Sequence, residues 1–404
     1  MIIGQFNDSF QPITDGVAAV TRHYAIGLGE ILRPDGRSYV VTPSFPGYTD
    51  PDEGYTILRY RSAPLPGRPP YRIGLPRLDR RFLSSLRSVP FDLVHAQCPF
   101  SAGRLAMRVA KSRNIPLVAS FHTKYLEDIL PVARSEKLAK AALHQVMSIY
   151  RQADAVWTVN EASIGTLREY GFQGPVHVIE NGTDMEAARV SSRRSAAADR
   201  VVRELKIGEQ EPVLFFIGQH IWQKNLRMLL DALILLKRRM PPATEGAPAF
   251  RMFFIGGGEA AEELAAQSAK AGLRNEVAFL GVVRDREFVR GMYERADLLL
   301  FPSLYDTSAL VLRESAATLC PMVLIRGSSI AEGIQDADNG FLSSGEPSAF
   351  ADTVLQALGN PELRRTVGIR AQQTLYRSWS TVVGEAFDEY RNIVQRHHAE
   401  KKAP

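Results

Sequence analysis

The sequence predicts an α/β protein of two Rossmann-like domains, each a parallel sheet covered by helices on both faces. Three observations carry that expectation. Short runs of Val, Ile, Leu and Phe alternate with longer amphipathic stretches, the pattern of βα units feeding a parallel sheet. The runs fall into two sets separated by a polar stretch. The length, 404 residues, corresponds at roughly 150 residues per domain to two or three domains. Doubly wound sheets bind ligands outside the carboxyl ends of their strands, so two of them facing each other imply an interdomain cleft.

In the first set, strands are expected at residues 2–6, 39–42, 93–96, 117–121, 155–159 and 176–179. The stretch 64–76 is rich in Pro and reads as a loop. After Glu180-Asn181-Gly182-Thr183-Asp184 the Ser/Arg/Ala-rich residues 187–200 break the periodicity and predict a hinge. The second set of strands is expected at 213–217, 252–255, 277–280, 298–301 and 322–325, with helices over 224–239, 259–271 and 285–295 between them. A loop rich in Pro is expected at 240–248. The domains are accordingly 1–184 and 185–378, with a terminal helix in 379–404 expected to pack back towards the first domain.

Composition excludes several classes. At 45% hydrophobic and 23% charged residues the chain is neither disordered nor fibrous. No apolar stretch approaches the roughly 18 residues of a spanning helix, and the first residues lack the pattern of a secretory signal, so a cytoplasmic location is expected. Cys98 and Cys320 are too few for a disulfide framework or a cysteine-rich metal site. A net charge of +5 over this length does not imply nucleic acid.

The residues with chemical promise follow strands. Gly16, in Asp15-Gly16-Val17, stands at a helix entry, where backbone amides favour an anion; a plain turn glycine would look the same. Lys224, in Gly218-Gln219-His220-Ile221-Trp222-Gln223-Lys224-Asn225, suits a phosphate, and a cation is otherwise disfavoured near a helix N-terminus. Gly256-Gly257-Gly258 follows a strand and fits either a structural turn or a nucleotide site, with a dehydrogenase as one reading. Asp306 and Glu314 lie eight apart, about 12 Å if helical throughout, wider than the roughly 5–9.5 Å of a glycosidase pair. They suit the hydroxyls at the two ends of a ligand whose phosphates rest on the intervening helix N-terminus, although a solvated acid and a helical Glu remain open. His122 follows a strand, where it is either a buried structural histidine or a cleft residue.

Taken in order, these junctions resemble the retaining glycosyltransferases of family 4, which have the GT-B fold of two facing Rossmann-like domains. The resemblance spans essentially the whole chain: Asp15-Gly16-Val17, Phe121-His122-Thr123, Asn181-Gly182-Thr183-Asp184, Gly218 to Lys224-Asn225, Gly256-Gly257-Gly258-Glu259, and Asp306 to Glu314 followed by Ala316-Ala317 and Pro321. It implies that Gly16 and Lys224 meet the diphosphate of a UDP- or GDP-linked sugar, that Glu314 holds the ribose, and that Asp306 contacts the transferred hexose. It also implies that the amides of Ser308, Ala309 and Leu310 receive phosphate, that His122 lies over the reacting sugar, and that Gly256, Gly257 and Gly258 turn beside the base. Catalysis would then be retaining, by front-face attack, with no cofactor beyond the nucleotide sugar and no metal in the chemistry. Two departures stand in the donor site. Gln219 replaces the usual Arg, with His220 or Arg326 as candidate compensators, and Asp306 replaces a Glu, about 1.5 Å shorter in reach. A catalytically impaired nucleotide-sugar-binding protein is the alternative they raise.

The expected acceptor is a membrane lipid, a glycan or a small metabolite. Arg59, Arg61, Arg68, Arg72, Arg77, Arg80, Arg81 and Arg87 share one stretch with a single acid, Asp79. Leu78, Phe82, Leu83 and Leu86 recur there at helical spacing, as in a helix lying on an anionic bilayer, with Arg77, Arg80 and Arg81 as the surface residues. The same pattern arises when the apolar side packs on the sheet. Membrane-associated members of the family carry a basic amphipathic helix in the corresponding region, which would place the protein peripherally on the inner face of the membrane.

Overall fold

The computed structural model describes residues 1–404 apart from 67, 134, 192–193, 241–246 and 402–404. It divides into two compact units, one of residues 1–181 with 379–404, the other of 182–378. Most of the loop expected at 240–248 lies outside the described residues.

The first unit holds a seven-stranded sheet in the order Thr56–Tyr60, Arg37–Pro43, Ile2–Phe6, Leu93–Ala96, Leu117–Phe121, Ala155–Thr158, His177–Val178, all pairings parallel. The inner strands Leu93–Ala96 and Leu117–Phe121 are buried at every residue, so they read as mainly apolar runs in which His95 and Ser120 are the polar members. The helices Gly16–Ile31, Ser101–Arg113 and Glu136–Gln152 cover it. The terminal helix Trp379–Glu400 belongs to this unit, with Tyr390 stacked at 4.8 Å on Trp157 of the sheet. The second unit repeats the plan with six parallel strands: Val277–Gly281, Arg251–Ile255, Val213–Ile217, Leu298–Phe301, Met322–Ile325, Phe341–Ser343. Phe215, Phe216, Phe253, Phe254, Leu299 and Val323 form the centre of its core.

In each unit the chain starts in an inner strand, winds to one edge, and then returns to the strand on the other side of its start. Two switch points result, beside Ile2–Phe6 and beside Val213–Ile217, where loops leave neighbouring strands in opposite directions and open a crevice.

Five elements depart from the sequence expectation. Thr56–Tyr60 and Phe341–Ser343 are short edge strands whose apolar content is too small to stand out. Across the expected loop 64–76, Ser62–Pro64 pairs antiparallel with Arg72–Gly74, with Pro64 at the ribbon end where no ladder donor is needed. The polar stretch 187–200 runs into a helix, Ala196–Glu204, capped by Ser195; only Ala198 and Val201 are buried on it, too few for a periodic signal.

Candidate active site

The residues singled out by sequence fall into two groups, one in each unit. In the second unit, Lys224 and Asp306 come from the loops that follow the two strands flanking the switch point, which is why residues 82 apart in sequence meet. After Val213–Ile217 the chain passes through Gly218 to a single 3-10 turn, Trp222–Lys224. Asn225, at φ +62°, then starts the helix Leu226–Arg239. Lys224 therefore precedes the helix instead of opening it. A left-handed residue interrupts a region whose apolar spacing reads as continuous. Lys224 is 7% exposed, its Nζ donates to both Asp306 oxygens at 2.8 Å, and it lies 5.0 Å from the Phe301 ring centroid.

The Ser303 hydroxyl bends the next loop by accepting the amides of Tyr305 and Asp306 at 3.3 and 3.2 Å. The helix that follows is Leu310–Ala317, so Asp306 lies in the loop before it and the 12 Å helical spacing does not apply. Ala309 caps this helix without a side-chain hydrogen bond and its first turn holds no acid, so Ser308, Ala309 and Leu310 stand at its positive terminus. One and a half turns along, Glu314 is buried, its Oε1 accepting from Arg286 Nη2 and its Oε2 from the Tyr293 hydroxyl, both at 2.8 Å. The same Arg286 nitrogen reaches Asp184 Oδ1 at 2.5 Å. Burial works against the Arg286 charge, but Glu314 and Asp184 outweigh it and raise its pKa. Burial, reinforced by Glu314, pushes the Tyr293 phenol well above its usual range, so it remains a donor.

Sequence reasoning missed Arg286 and Tyr293. They lie seven apart, two turns along one face of Arg286–Arg295, and Arg286 opens the helix after the strand Val277–Gly281. Searching every such loop for cations would have found it.

The glycines separate into two kinds. A Cβ on Gly256 would come within 1.9 Å of the Gly218 carbonyl oxygen, and one on Gly258 within 2.4 Å of the His220 oxygen; both have positive φ, +129° and +154°. These two are needed to pack the 256–260 turn against the 218–220 loop, where the His220 amide bonds the Gly257 carbonyl at 2.8 Å. Gly257 itself keeps an ordinary φ and has Val282 nearby. Gly16, in the first unit, would meet nothing within 4 Å and has no positive φ. A turn glycine is not what the backbone demands there. Gly16 heads Gly16–Ile31, whose cap Asp15 accepts the Ala18 amide at 2.8 Å.

Of the candidate compensators for Gln219, His220 supplies no second cation, whereas Arg326 keeps its charge within an ion pair. Gln219 is exposed, whereas the His220 ring is buried among Phe216, Phe254 and Phe279, with neither nitrogen hydrogen-bonded. Burial lowers its pKa and keeps it neutral. Arg326 is paired with Asp336 at 2.5 Å.

His122 directly follows the strand Leu117–Phe121, with Nε2 2.6 Å from Gln97 Oε1. Burial lowers its pKa to about 4, so the ring is neutral at physiological pH.

The arginine-rich stretch is not a single cationic face. Arg59 is paired with Asp50 at 2.6 Å and Arg72 bonds Ser62. On the helix Arg80–Ser88, Phe82 and Leu86 are buried in the core, Phe82 lying 5.2 Å from Tyr60 between ring centroids. The apolar side packs inward, so the expectation that it faces a bilayer gives way to the sheet-packing alternative. Arg77, Arg80 and Arg81 remain exposed, with Leu78 at 65% exposure. Arg108 feels the charges of Arg77 and Arg104 in addition to its partial burial, so this surface extends to the helix Ser101–Arg113. Among the described residues there is no helix long and apolar enough to cross a membrane and no cluster of metal-ligating side chains.

Two family models divide the chain between them, Glycosyltransferase Family 4 over residues 14–187 and Glycosyl transferases group 1 over residues 198–374. The alpha-monoglucosyldiacylglycerol synthase of Acholeplasma laidlawii is 23% identical over 382 residues, covering 92% of each protein. Among solved structures, Anabaena HepE in complex with UDP and glucose superimposes with a TM-score of 0.74 at 19% identity, covering 96% of this chain and 98% of that one. Sucrose-phosphate synthase from Thermosynechococcus elongatus reaches 0.80 at 18% identity, covering 98% and 100%.

Proposed function

Since the chain belongs to the group 1 and family 4 glycosyltransferases and has their GT-B fold, we propose that it moves a hexose from a UDP- or GDP-linked donor to a hydroxyl acceptor. Anomeric configuration is retained and the chemistry uses no metal. The observation that carries this reading is Lys224, an almost fully buried ammonium held by Asp306 beside the positive terminus of Leu310–Ala317. An ammonium taken out of water is costly unless it has anionic partners, and a surface lysine would not be placed there. Lys224 and the helix amides would stabilise the negative charge that develops on the departing diphosphate, which is electrostatic catalysis by preorganised groups.

Glu314 would accept the ribose hydroxyls with its remaining lone pairs while Arg286 and Tyr293 fix its orientation. Gly16 would let the diphosphate approach the backbone, and His122 would bond the sugar. With Lys224 as the diphosphate's side-chain cation and Gln219 in place of an arginine, the helix amides carry a larger share of that charge. The A. laidlawii relative is named for a diacylglycerol product, which favours a lipid acceptor, reached on the cytoplasmic face through the exposed charges of Arg77, Arg80, Arg81 and Arg108.

A second reading, binding without turnover, draws on one feature: the Asp306 carboxylate that should contact the sugar is closed on Lys224. A thermal-shift screen of UDP, GDP and their hexose conjugates tests donor binding, since a ligand of the folded state raises its apparent stability. The parent should respond to one nucleotide series and Glu314→Gln should not. Absence of any response to nucleotides would overturn both readings.

A further inference from the structure

Behind His122 the first unit encloses a chain of polar side chains that none of the proposed site roles requires. His122 Nε2 lies 2.6 Å from Gln97 Oε1, and Gln97 Nε2 donates to Gln5 Oε1 at 2.8 Å. Gln5 Nε2 donates to the Tyr390 hydroxyl at 3.3 Å, that hydroxyl lies 2.5 Å from His95 Nδ1, and His95 Nε2 lies 2.8 Å from Ser120 Oγ. Gln5, His95, Gln97, Ser120 and Tyr390 are all buried. They reach one another from the inner strands and from the terminal helix, with residues 5 and 390 in contact.

With the amides in this orientation, only one proton arrangement satisfies every contact. Gln97 Nε2 spends its second proton on His95 Nδ1 at 3.2 Å, so that nitrogen is an acceptor, and Tyr390, which accepts from Gln5, gives its single proton to the same nitrogen. His95, neutral in this apolar setting, must then carry its proton on Nε2 and donate to Ser120. At the other end, Gln97 Oε1 can only accept, so His122 carries its proton on Nε2 and its lone pair on Nδ1. We propose that this buried chain fixes the tautomer of His122, with Gln97 as the positioning residue in direct contact and Ser120 as the acceptor that sets the direction of the chain.

The direction has one self-consistent reversal. If Ser120 could not accept, His95 would shift its proton to Nδ1 and donate to Tyr390. Tyr390 would donate to a flipped Gln5, Gln5 to a flipped Gln97, and Gln97 to His122 Nε2, leaving His122 protonated on Nδ1. A local polar pair has no such remote response; a hydrogen-bond chain whose members polarise one another does.

The relevance to sugar contact rests on the proposed role of His122, but the test does not. Long-range 1H–15N spectra of the full chain labelled on histidine, assigned with His122→Gln, report the tautomer of each ring. The parent should show His95 and His122 both protonated on Nε2. Ser120→Ala should exchange the Nδ1 and Nε2 signatures of both rings together. His122 protonated on Nδ1 or charged at neutral pH in the parent would overturn the proposal. So would a change in Ser120→Ala confined to His95, or no change at either ring. Loss of transfer in His122→Gln bears separately on its role at the sugar. If transfer survives there while the spectra behave as stated, the chain stands and the sugar contact falls.

Discussion

The candidate residues of the two units sit in different polar settings. The second unit gathers charge: Lys224 on Asp306, and Arg286 shared by Glu314 and Asp184, around a positive helix terminus. Behind His122 the first unit has a buried network that carries no charge at neutral pH, its histidines both held neutral by burial. On the proposed function, ion pairs suit a region that receives a diphosphate and releases it, because each cation has an acid to return to when the anion leaves. Neutral hydrogen bonds suit a region that must orient a sugar without attracting the diphosphate. The division can be broken at several points.

The largest effect is expected at Lys224. Lys224→Ala should lower kcat/KM by roughly 10²–10³, the scale of losing one preorganised electrostatic contact, with the fold intact. Asp306→Asn should impair transfer more than nucleoside diphosphate binding, and Asp306→Glu, which restores the family's residue, should raise or redirect donor use. If Lys224→Ala retains activity within a few-fold, the charged group is structural.

Next comes a comparison of glycines. Gly258→Ala forces a side chain onto the His220 carbonyl at positive φ and should cost at least about 2 kcal/mol of stability. Gly16→Ala meets open space and should leave chemical unfolding unchanged while weakening the donor. Equal losses of stability would remove the distinction between a packing glycine and an approach glycine.

Around Glu314, Glu314→Gln should weaken the donor and the free nucleoside diphosphate together. Tyr293→Phe deletes the hydrogen bond from the phenol to that carboxylate and should weaken nucleotide binding by about 1 kcal/mol in titration calorimetry.

In the first unit the expected effect is on pH dependence. The folded pKa of His122 is near 4, below the value of about 6.5 in an unfolded chain, so the unfolded state binds more protons between those values and stability must fall as pH drops through that window. His95, also depressed, contributes in the same direction. His122→Gln should flatten part of that slope in denaturant titrations at successive pH values; an unchanged slope would mean that His122 is not held neutral. The smallest effect concerns Arg77, Arg80 and Arg81, whose replacement by Ser should reduce co-sedimentation with anionic vesicles, an attraction that already weakens as salt rises.

These contrasts also mark what the sequence could reveal. Inner strands such as Val213–Ile217 and Leu298–Phe301 were legible because burial on both faces leaves continuous apolar runs, and the post-strand loops then pointed to Gly16, Lys224 and Asp306. The edge strand Phe341–Ser343 and the helix Ala196–Glu204 were not, since each buries too little to set a period. The pairing of Lys224 with Asp306 follows from strand order across the switch point, which no local pattern carries. The partners of His122 were hidden for the same reason: Gln97, Gln5 and Tyr390 are ordinary residues until the sheet and the terminal helix bring them together.

The central claim is that the charged group of the second unit supports turnover of a nucleotide sugar rather than its storage. The most direct measurement follows nucleoside diphosphate release and the anomeric configuration of the product by NMR, using the donor selected by thermal shift and vesicles containing diacylglycerol. Acceptor-dependent release with the donor's anomeric configuration preserved is expected; saturable donor binding without release, or an inverted product, would show that these charges do not support retaining transfer.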